Sequence, residues 1–389
     1  MKKTITIIVV CVAFLLLIVP TFMLWLIAAF ADLSFHFIIP IISFVLLTLI
    51  GFITFSIENK FFYKERIILT SAVLLILIGI IEGENYYKHT YIPSITVGQR
   101  QPAAYRYKPF EKSENLAHLD REASLKFTNS DDLPVVDGAT ALFPIYCSFV
   151  EAVYPSDCDI EKVVQFNTTT GAYKALIDGE DDIIFVAQPS KEQRAMAEEA
   201  GLEFNMYPIG YEAFIFIVNK KNPVDSLTLQ QIKDIYTGKI TNWKELGGKD
   251  LAIRPFQRDT NSGSQTAFLK VMGKDAEILP PETHQVSGMD GLIDVVSDYQ
   301  NHSNAIGYSF RYYVETMEKN VNLKILKLNG IEASRENIRN KKYPITDNFY
   351  AITIKGRESK NTRKFIDWMI SAQGQEIIEK VGYVPLSDK

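Results

Sequence analysis

Along the first eighty residues the chain is apolar in blocks. Thr4 to Phe30 holds no charged side chain, nor does Phe35 to Ile57, and a third apolar run spans roughly Ile67 to Ile81. A membrane-crossing helix needs about 20 mostly apolar residues. The first two runs meet that length, and the third meets it when Lys64 and Arg66 extend along its flank towards the interface. After Glu82 the pattern changes. Up to about residue 131 the text is rich in Tyr, Lys and Pro with little sustained period, as in "HTYIPSITVGQRQPAAYRYKPF", and reads as a connector. From Leu133 onward short apolar strands alternate with amphipathic helices: "VVQF" before Tyr173 to Ile177, "DIIFVA" before "KEQRAMAEEAG", "EAFIFIVN" before "LTLQQIKDIYTG", and "LAIRPFQ" before "SQTAFLKVM". Such alternation predicts an α/β domain with largely parallel sheets. Asp132 to Lys389 is long enough for two lobes. The predicted organisation is therefore a membrane region over 1–82 with about three transmembrane helices, a connector over 83–131, and a two-lobed domain over 132–389.

Charge then orients the spans. Lys2 and Lys3 precede the first, the first loop carries Asp32, the second holds Lys60, Lys64 and Arg66, and Glu82 and Glu84 follow the third. Positive residues stay on the cytoplasmic side, which puts the N-terminus inside and the C-terminal domain outside the cell membrane. A signal-peptide reading competes, since Lys2-Lys3, an apolar core and Ala29-Phe30-Ala31 are its ingredients, but the core is far longer than the usual ~7–15 residues. Either way the domain is exported. The net charge of −5 and pI near 5.7 give nucleic acid no basic surface to bind.

Three stretches of the exported part share one design: an apolar strand, a small polar turn, then a helix start. They are "DGATALFPIY" with Thr140 and Ala141, "NTTTGAYKAL" with Thr169, and "RDTNSGSQTAF" with Ser262, Gly263 and Ser264, four to six residues after Arg258. A helix N-terminus exposes unpaired N–H groups and a partial positive charge. Small residues admit an anion to the backbone and hydroxyls add donors. In α/β sheets such turns lie at the carboxyl ends of strands, where ligands bind. Each turn alone is accounted for by ordinary helix capping; three together, with a fixed arginine, point to an oxyanion. Asp182, ahead of "IIFVA", is either turn chemistry or the one acceptor that demands a proton on the ligand, which phosphate keeps at neutral pH and sulfate does not.

"DGATALFPIY", "VVQFNTTTGAYKALIDGEDDIIFVAQPS", "NPVDSLTLQQIKDIYTGKITNWKELGG", "RDTNSGSQTAF" and "AIGYSF" together resemble the phosphate-binding component of bacterial phosphate ABC transporters, over roughly Asp132 to Lys389. The resemblance implies a type II periplasmic-binding-protein fold, two lobes closing by a hinge, here preceded by three transmembrane α-helices. It implies phosphate ligands at Thr140, Ala141, Thr169, Asp182, Arg258, Ser262, Gly263 and Ser264, and an ABC permease as partner. It calls for no cofactor, metal or catalytic residue. The chain departs from the family pattern at Thr260, where an acidic residue often supports the arginine, at Ser264, where the family has threonine, and in its membrane region, which suits a fixed receptor or sensor as well as a transport protein.

An enzyme finds little footing: H-E-x-x-H, G-x-S-x-G, S-x-x-K and Walker A patterns are absent, and the five histidines are scattered. A signalling or adaptor protein that kept the fold and lost the ligand, or binds another such as a different oxyanion or a phosphorylated metabolite, is the rival reading. Of three cysteines, Cys11 falls in the first span, while Cys147 and Cys158 are candidates for a disulfide in the exported part, two separate thiols being the alternative.

Overall fold

The computed structural model describes residues 106–128, 132–280, 289–297, 304–318 and 322–386. All of them belong to one unit, Thr96–Lys389. The three expected spans and the first part of the connector lie outside the described residues. Among the described residues no helix is long and apolar enough to cross a membrane.

The domain begins with β1 (Val136–Gly138), which leads through a tight turn into α1 (Phe143–Val153), a short α2 (Ile160–Val163) and α3 (Thr168–Asp178). Then follow β2 (Ile183–Val186), α4 (Lys191–Glu199) and the long β3 (Phe204–Asn219). The second lobe contains β4 (Ser226–Leu227), α5 (Leu229–Tyr236), β5 (Arg254–Pro255), α6 (Gly263–Met272), α7 (Met289–Ser297), β6 (Ala305–Phe310), β7 (Leu323–Ile325), β8 (Lys327–Leu328) and α8 (Arg335–Arg339). The chain returns along β9 (Thr346–Ile354) and ends in α9 (Lys360–Ile370) and α10 (Ala372–Val381).

β3 and β9 make two lobes out of one continuous sheet, ordered β1-β2-β9-β3-β6-β5, with β7 also on β3. The first part of β3 pairs with β9, from Phe204 opposite Ile354 to Ala213 opposite Thr346. Its last part, Phe214–Val218, pairs instead with β6. The register shifts between Pro208 and Gly210, where the paired strands pass between lobes. A bulge bends and twists a strand locally, and here the chain is also crowded: a Cβ on Gly210 would stand 3.0 Å from the Val384 carbonyl oxygen and 2.5 Å from the Phe349 ring. Beside this crossing Glu212 and Arg311, both buried, pair at 3.3 Å, and Arg311 also donates to the Gly382 carbonyl at 2.7 Å. Burial pushes the Glu212 carboxyl up, and the Arg311 charge pulls it back.

The period-2 rule for strands shows in β2. Ile183 and Phe185 pack into the main core with α1, while Ile184 and Val186 join Ala172, Tyr173 and Leu176 of α3 on the other face. Residues 106–128 pack on this domain: Tyr107, Leu116 and Phe127 are buried, Phe127 N–H donates to the Val153 carbonyl at 2.9 Å, and Arg106 donates to the Met317 carbonyl at 2.7 Å.

The candidate disulfide is corrected by the fold. Cys147 and Cys158 are both free thiols. Cys147 sits inside α1, fully buried, and Cys158 lies beyond the helix end in a turn whose N–H bonds Pro155.

Candidate functional site

The first turn is fixed by close approach. A Cβ on Gly138 would meet the Phe185 carbonyl oxygen at 2.3 Å, so the β1–β2 contact admits only glycine there. Ala139 N–H then donates to that same carbonyl at 2.8 Å. Thr140–Leu142 forms one 3-10 turn that runs directly into α1, with Pro144 in its first turn. Thr140 is half-buried and Ala141 buried.

Asp137 ties this turn to the second. Fully buried on β1, its carboxylate accepts from Gly138 N–H at 2.7 Å and from Asn167, backbone and side chain, both at 2.9 Å. Burial raises its pKa and these N–H donors hold it down. Asn167 immediately precedes α3, whose first residue, Thr168, takes a left-handed φ of 59°. Asp137 is thus a positioning residue that the sequence analysis did not single out. The signal was an acid in an apolar strand, next to the glycine of the turn.

The second and third turns meet across the cleft. A Cβ on Gly263 would lie 3.1 Å from the Thr169 hydroxyl oxygen. Thr169 is buried, and Thr170 Oγ1 donates to the Asn261 carbonyl at 3.3 Å. Ser262 caps α6, its hydroxyl accepting from Gln265 N–H at 3.2 Å. Ser264, 3% exposed, has a hydroxyl with no hydrogen-bond partner among the described residues. A buried donor left in this state is costly unless an acceptor arrives.

Arg258 is buried beside the same helix mouth, 6% exposed. Its backbone N–H is held by Gln265 Oε1 at 3.1 Å and by the Tyr308 hydroxyl at 3.0 Å. Gln265 and Tyr308 hydrogen-bond each other, and the Tyr308 ring stacks on Phe268 of α6 at 4.5 Å. The arginine backbone is therefore locked to the first turn of α6, the helix that Ser262 caps. Burial drives the Tyr308 pKa far up, with the nearby Arg258 charge acting against it.

Asp182 is not part of this assembly. It stands at the amino end of β2, where its Oδ2 accepts from Val135 N–H at 2.8 Å and its own N–H donates to the Val135 carbonyl at 3.0 Å. It clamps β1 to β2 at the end of the sheet away from the turns. Burial raises its pKa and the Val135 N–H holds it back. The side chain at the carboxyl end of β2 is Gln188, half-buried, which lines a cleft of about 500 Å³ together with Ala139, Ala141 and Gly263. Its Nε2 donates to the Tyr350 hydroxyl at 3.3 Å. Phe214, Phe310 and Phe349 supply apolar walls. Of the residues expected to hold an anion, Ala141 and Gly263 line this cleft, Thr169 stands against Gly263, Ser262 and Ser264 flank Gly263 at the start of α6 beside the Arg258 backbone, and Thr140 lies in the turn after β1, whereas Asp182 stands at the amino end of β2. Among the described residues no cluster of three or more His, Cys, Asp or Glu could hold a metal.

Comparison with known proteins agrees with this architecture. The sequence model described as a PBP superfamily domain matches residues 128–373. The phosphate-binding protein PstS of Borreliella burgdorferi is 30% identical over 180 residues, covering 45% of this chain and 63% of that protein. The phosphate-binding protein PstS of Bacillus subtilis is 26% identical over 255 residues, 65% of this chain and 80% of the relative. Among solved structures, a putative phosphate ABC transporter substrate-binding protein from Clostridium perfringens, with bound phosphate, is 31% identical with a TM-score of 0.54, covering 66% of this chain and 100% of that one. An ABC-type phosphate transport receptor from Vibrio cholerae, 21% identical with a TM-score of 0.50 over 65% of this chain and all of that one, shares the fold.

Proposed function

From a chain that belongs to the PBP superfamily, with an α/β two-lobed periplasmic-binding-protein fold, we propose a membrane-anchored extracytoplasmic solute-binding protein that takes up inorganic phosphate between its lobes and serves an ABC-type permease or a phosphate-sensing system. Its relatives are substrate-binding proteins, not enzymes. One observation carries the reading. The unbonded, buried Ser264 hydroxyl sits on a helix mouth that also presents Gly263 to Thr169 and holds Arg258 in place. Backbone N–H groups at a helix N-terminus, hydroxyls and a guanidinium fork are a donor set for a tetrahedral oxyanion.

Gln188 takes the place in the cleft that Asp182 was expected to fill. An amide oxygen accepts a hydrogen bond from the hydroxyl of monohydrogen phosphate, yet it lacks the charge with which a carboxylate repels fully ionised sulfate. Selectivity for phosphate over sulfate is therefore expected to be modest. The anchor rests on the uncharged runs of residues 1–82 and their flanking Lys and Arg, with 83–131 as a connector whose residues 106–128 pack on the binding domain of 132–389. Isothermal titration of the full-length protein in detergent with phosphate, then sulfate, tests the proposal. Saturable phosphate binding with weaker sulfate binding is expected; no heat with phosphate overturns it.

A further inference from the structure

We infer that Asn261 is the latch that holds the two lobes together over the site. It lies in the second lobe, in the turn between Arg258 and α6, with a left-handed φ of 66° that glycine and asparagine adopt more readily than other residues. Three groups of the first lobe converge on it. Ser190 Oγ donates to Asn261 Oδ1 at 2.8 Å, Gln193 Nε2 donates to its carbonyl at 3.2 Å, and Thr170 Oγ1 donates to the same carbonyl at 3.3 Å. Ser190 and Gln193 are both buried, and they are already fixed to each other by the capping box that opens α4. The latch therefore closes on a preformed receptor and orders few side chains as it engages.

The position of Asn261 makes closure and binding one event. The residue is three positions beyond Arg258 and three before Ser264, so drawing Asn261 onto α4 carries the arginine and the α6 mouth towards Thr169. Asn261 touches no ligand in this account; it is a positioning residue, and it acts on how long the lobes stay together. A binding-competent state that is only partly populated weakens apparent affinity by that fraction. The side-chain bond to Ser190 is one of the three, so its loss should shorten the closed lifetime about three- to tenfold, in proportion to one ordinary hydrogen bond. The inference rests on the phosphate reading for its effect on affinity, but not for its effect on lobe separation.

Asn261→Gly removes the side chain and keeps the backbone conformation. Spin labels on Glu192→Cys in α4 and Leu269→Cys in α6, both exposed, report lobe separation in the full-length chain with its native cysteines replaced by serine. Asn261→Gly should lengthen that distance without ligand, accelerate inorganic phosphate release about three- to tenfold with little change in association, and leave the melting temperature within a few degrees. An unchanged distance distribution overturns the latch whatever phosphate does. A longer distance in a protein that binds no phosphate keeps the latch and removes the phosphate reading. Slower association with unchanged release also overturns it, because it would place Asn261 in capture instead of retention.

Discussion

Asp137 and Asp182 serve opposite ends of one pair of parallel strands: Asp137, in the middle of β1 opposite Ile184, bonds forward to the turn that follows, Asp182 precedes β2, and each accepts hydrogen bonds from backbone N–H groups. Asp182 receives the N–H of Val135 and closes the amino end of the β1–β2 pair. Asp137 receives Gly138 and both nitrogens of Asn167, and so joins the first turn to the start of α3. The residue type is the same and so is the elementary interaction. The difference is which end of the strand each serves. At the carboxyl end the turns present helix N-termini to a ligand; at the amino end the same chemistry only holds the sheet together. Substitutions at the two ends should therefore separate cleanly, one set changing binding and the other stability.

The largest effect is expected at the carboxyl end from Arg258. On the proposed reading its fork would donate two parallel bonds to a phosphate edge, and loss of such a charge-assisted contact in a closed site should cost about 1.5–3 kcal/mol, roughly ten- to over a hundredfold in affinity. Arg258→Lys should recover little, because it returns the charge without the fork. Titration of both variants with phosphate, beside a ligand-free melt, tests it. Unchanged affinity in both would place Arg258 with Asp182, among residues that merely hold the fold.

Much of this was legible in the sequence, because helix starts and glycine turns are local. The first and third turns stand where the strand–helix alternation put them, whereas "VVQF" ahead of the second is the end of α2 and an isolated bridge to Val136, not a strand. Asp182 was misplaced for a reason that the same rule could have caught: it precedes β2, so it lies at the amino end, whereas Gln188 follows the strand and reaches the cleft. The latch was not legible, because Ser190, Gln193 and Thr170 are 71, 68 and 91 positions from Asn261. Nor was the hinge. "EAFIFIVN" reads as one short strand, yet β3 runs from Phe204 to Asn219 because two different partners extend it, β9 in one half and β6 in the other. The cysteines left two outcomes open in the sequence, and both are free thiols, Cys147 fully buried inside α1.

Asp181 sharpens the comparison through pH. It is buried beside Asp137, and its pKa is pushed up to about 8, first by burial, then by the Asp137 charge and the proton the two carboxyls share, with Glu180 and Asp182 adding to it. The proton resides on Asp181 because Asp137 is the one that receives N–H donors. A folded-state pKa above the ordinary value of 3.8 means that the stabilising contribution is complete below about pH 4 and is lost as pH rises through about 8. Asp181→Asn keeps a donor for Asp137 and has nothing to ionise. It should raise stability at pH 9 relative to the parent, on the order of 2 kcal/mol, and flatten the pH profile between 4 and 8. Urea unfolding across that range measures it; parallel profiles in parent and variant would show that the two carboxyls do not share a proton.

The smallest effect is expected at the amino end. Asp182→Ala removes one acceptor from a half-buried strand junction and should cost about 1 kcal/mol, the ordinary worth of one such bond. Asp182→Asn retains an oxygen for Val135 N–H and should cost less. Its pH response has a definite sign as well. Burial raises the Asp182 pKa, so the parent gains from this group at low pH and loses that gain as pH rises through the raised value, whereas the asparagine variant is insensitive. Neither variant should alter the ratio of phosphate to sulfate affinity, because the side chain faces Val135 and lies outside the cleft. Gln188→Ala supplies the contrast: it removes an acceptor that lines the cleft after β2 and should weaken phosphate while leaving sulfate nearly unchanged. A loss of discrimination in Asp182→Asn at full stability would reverse the two assignments and return Asp182 to the ligand.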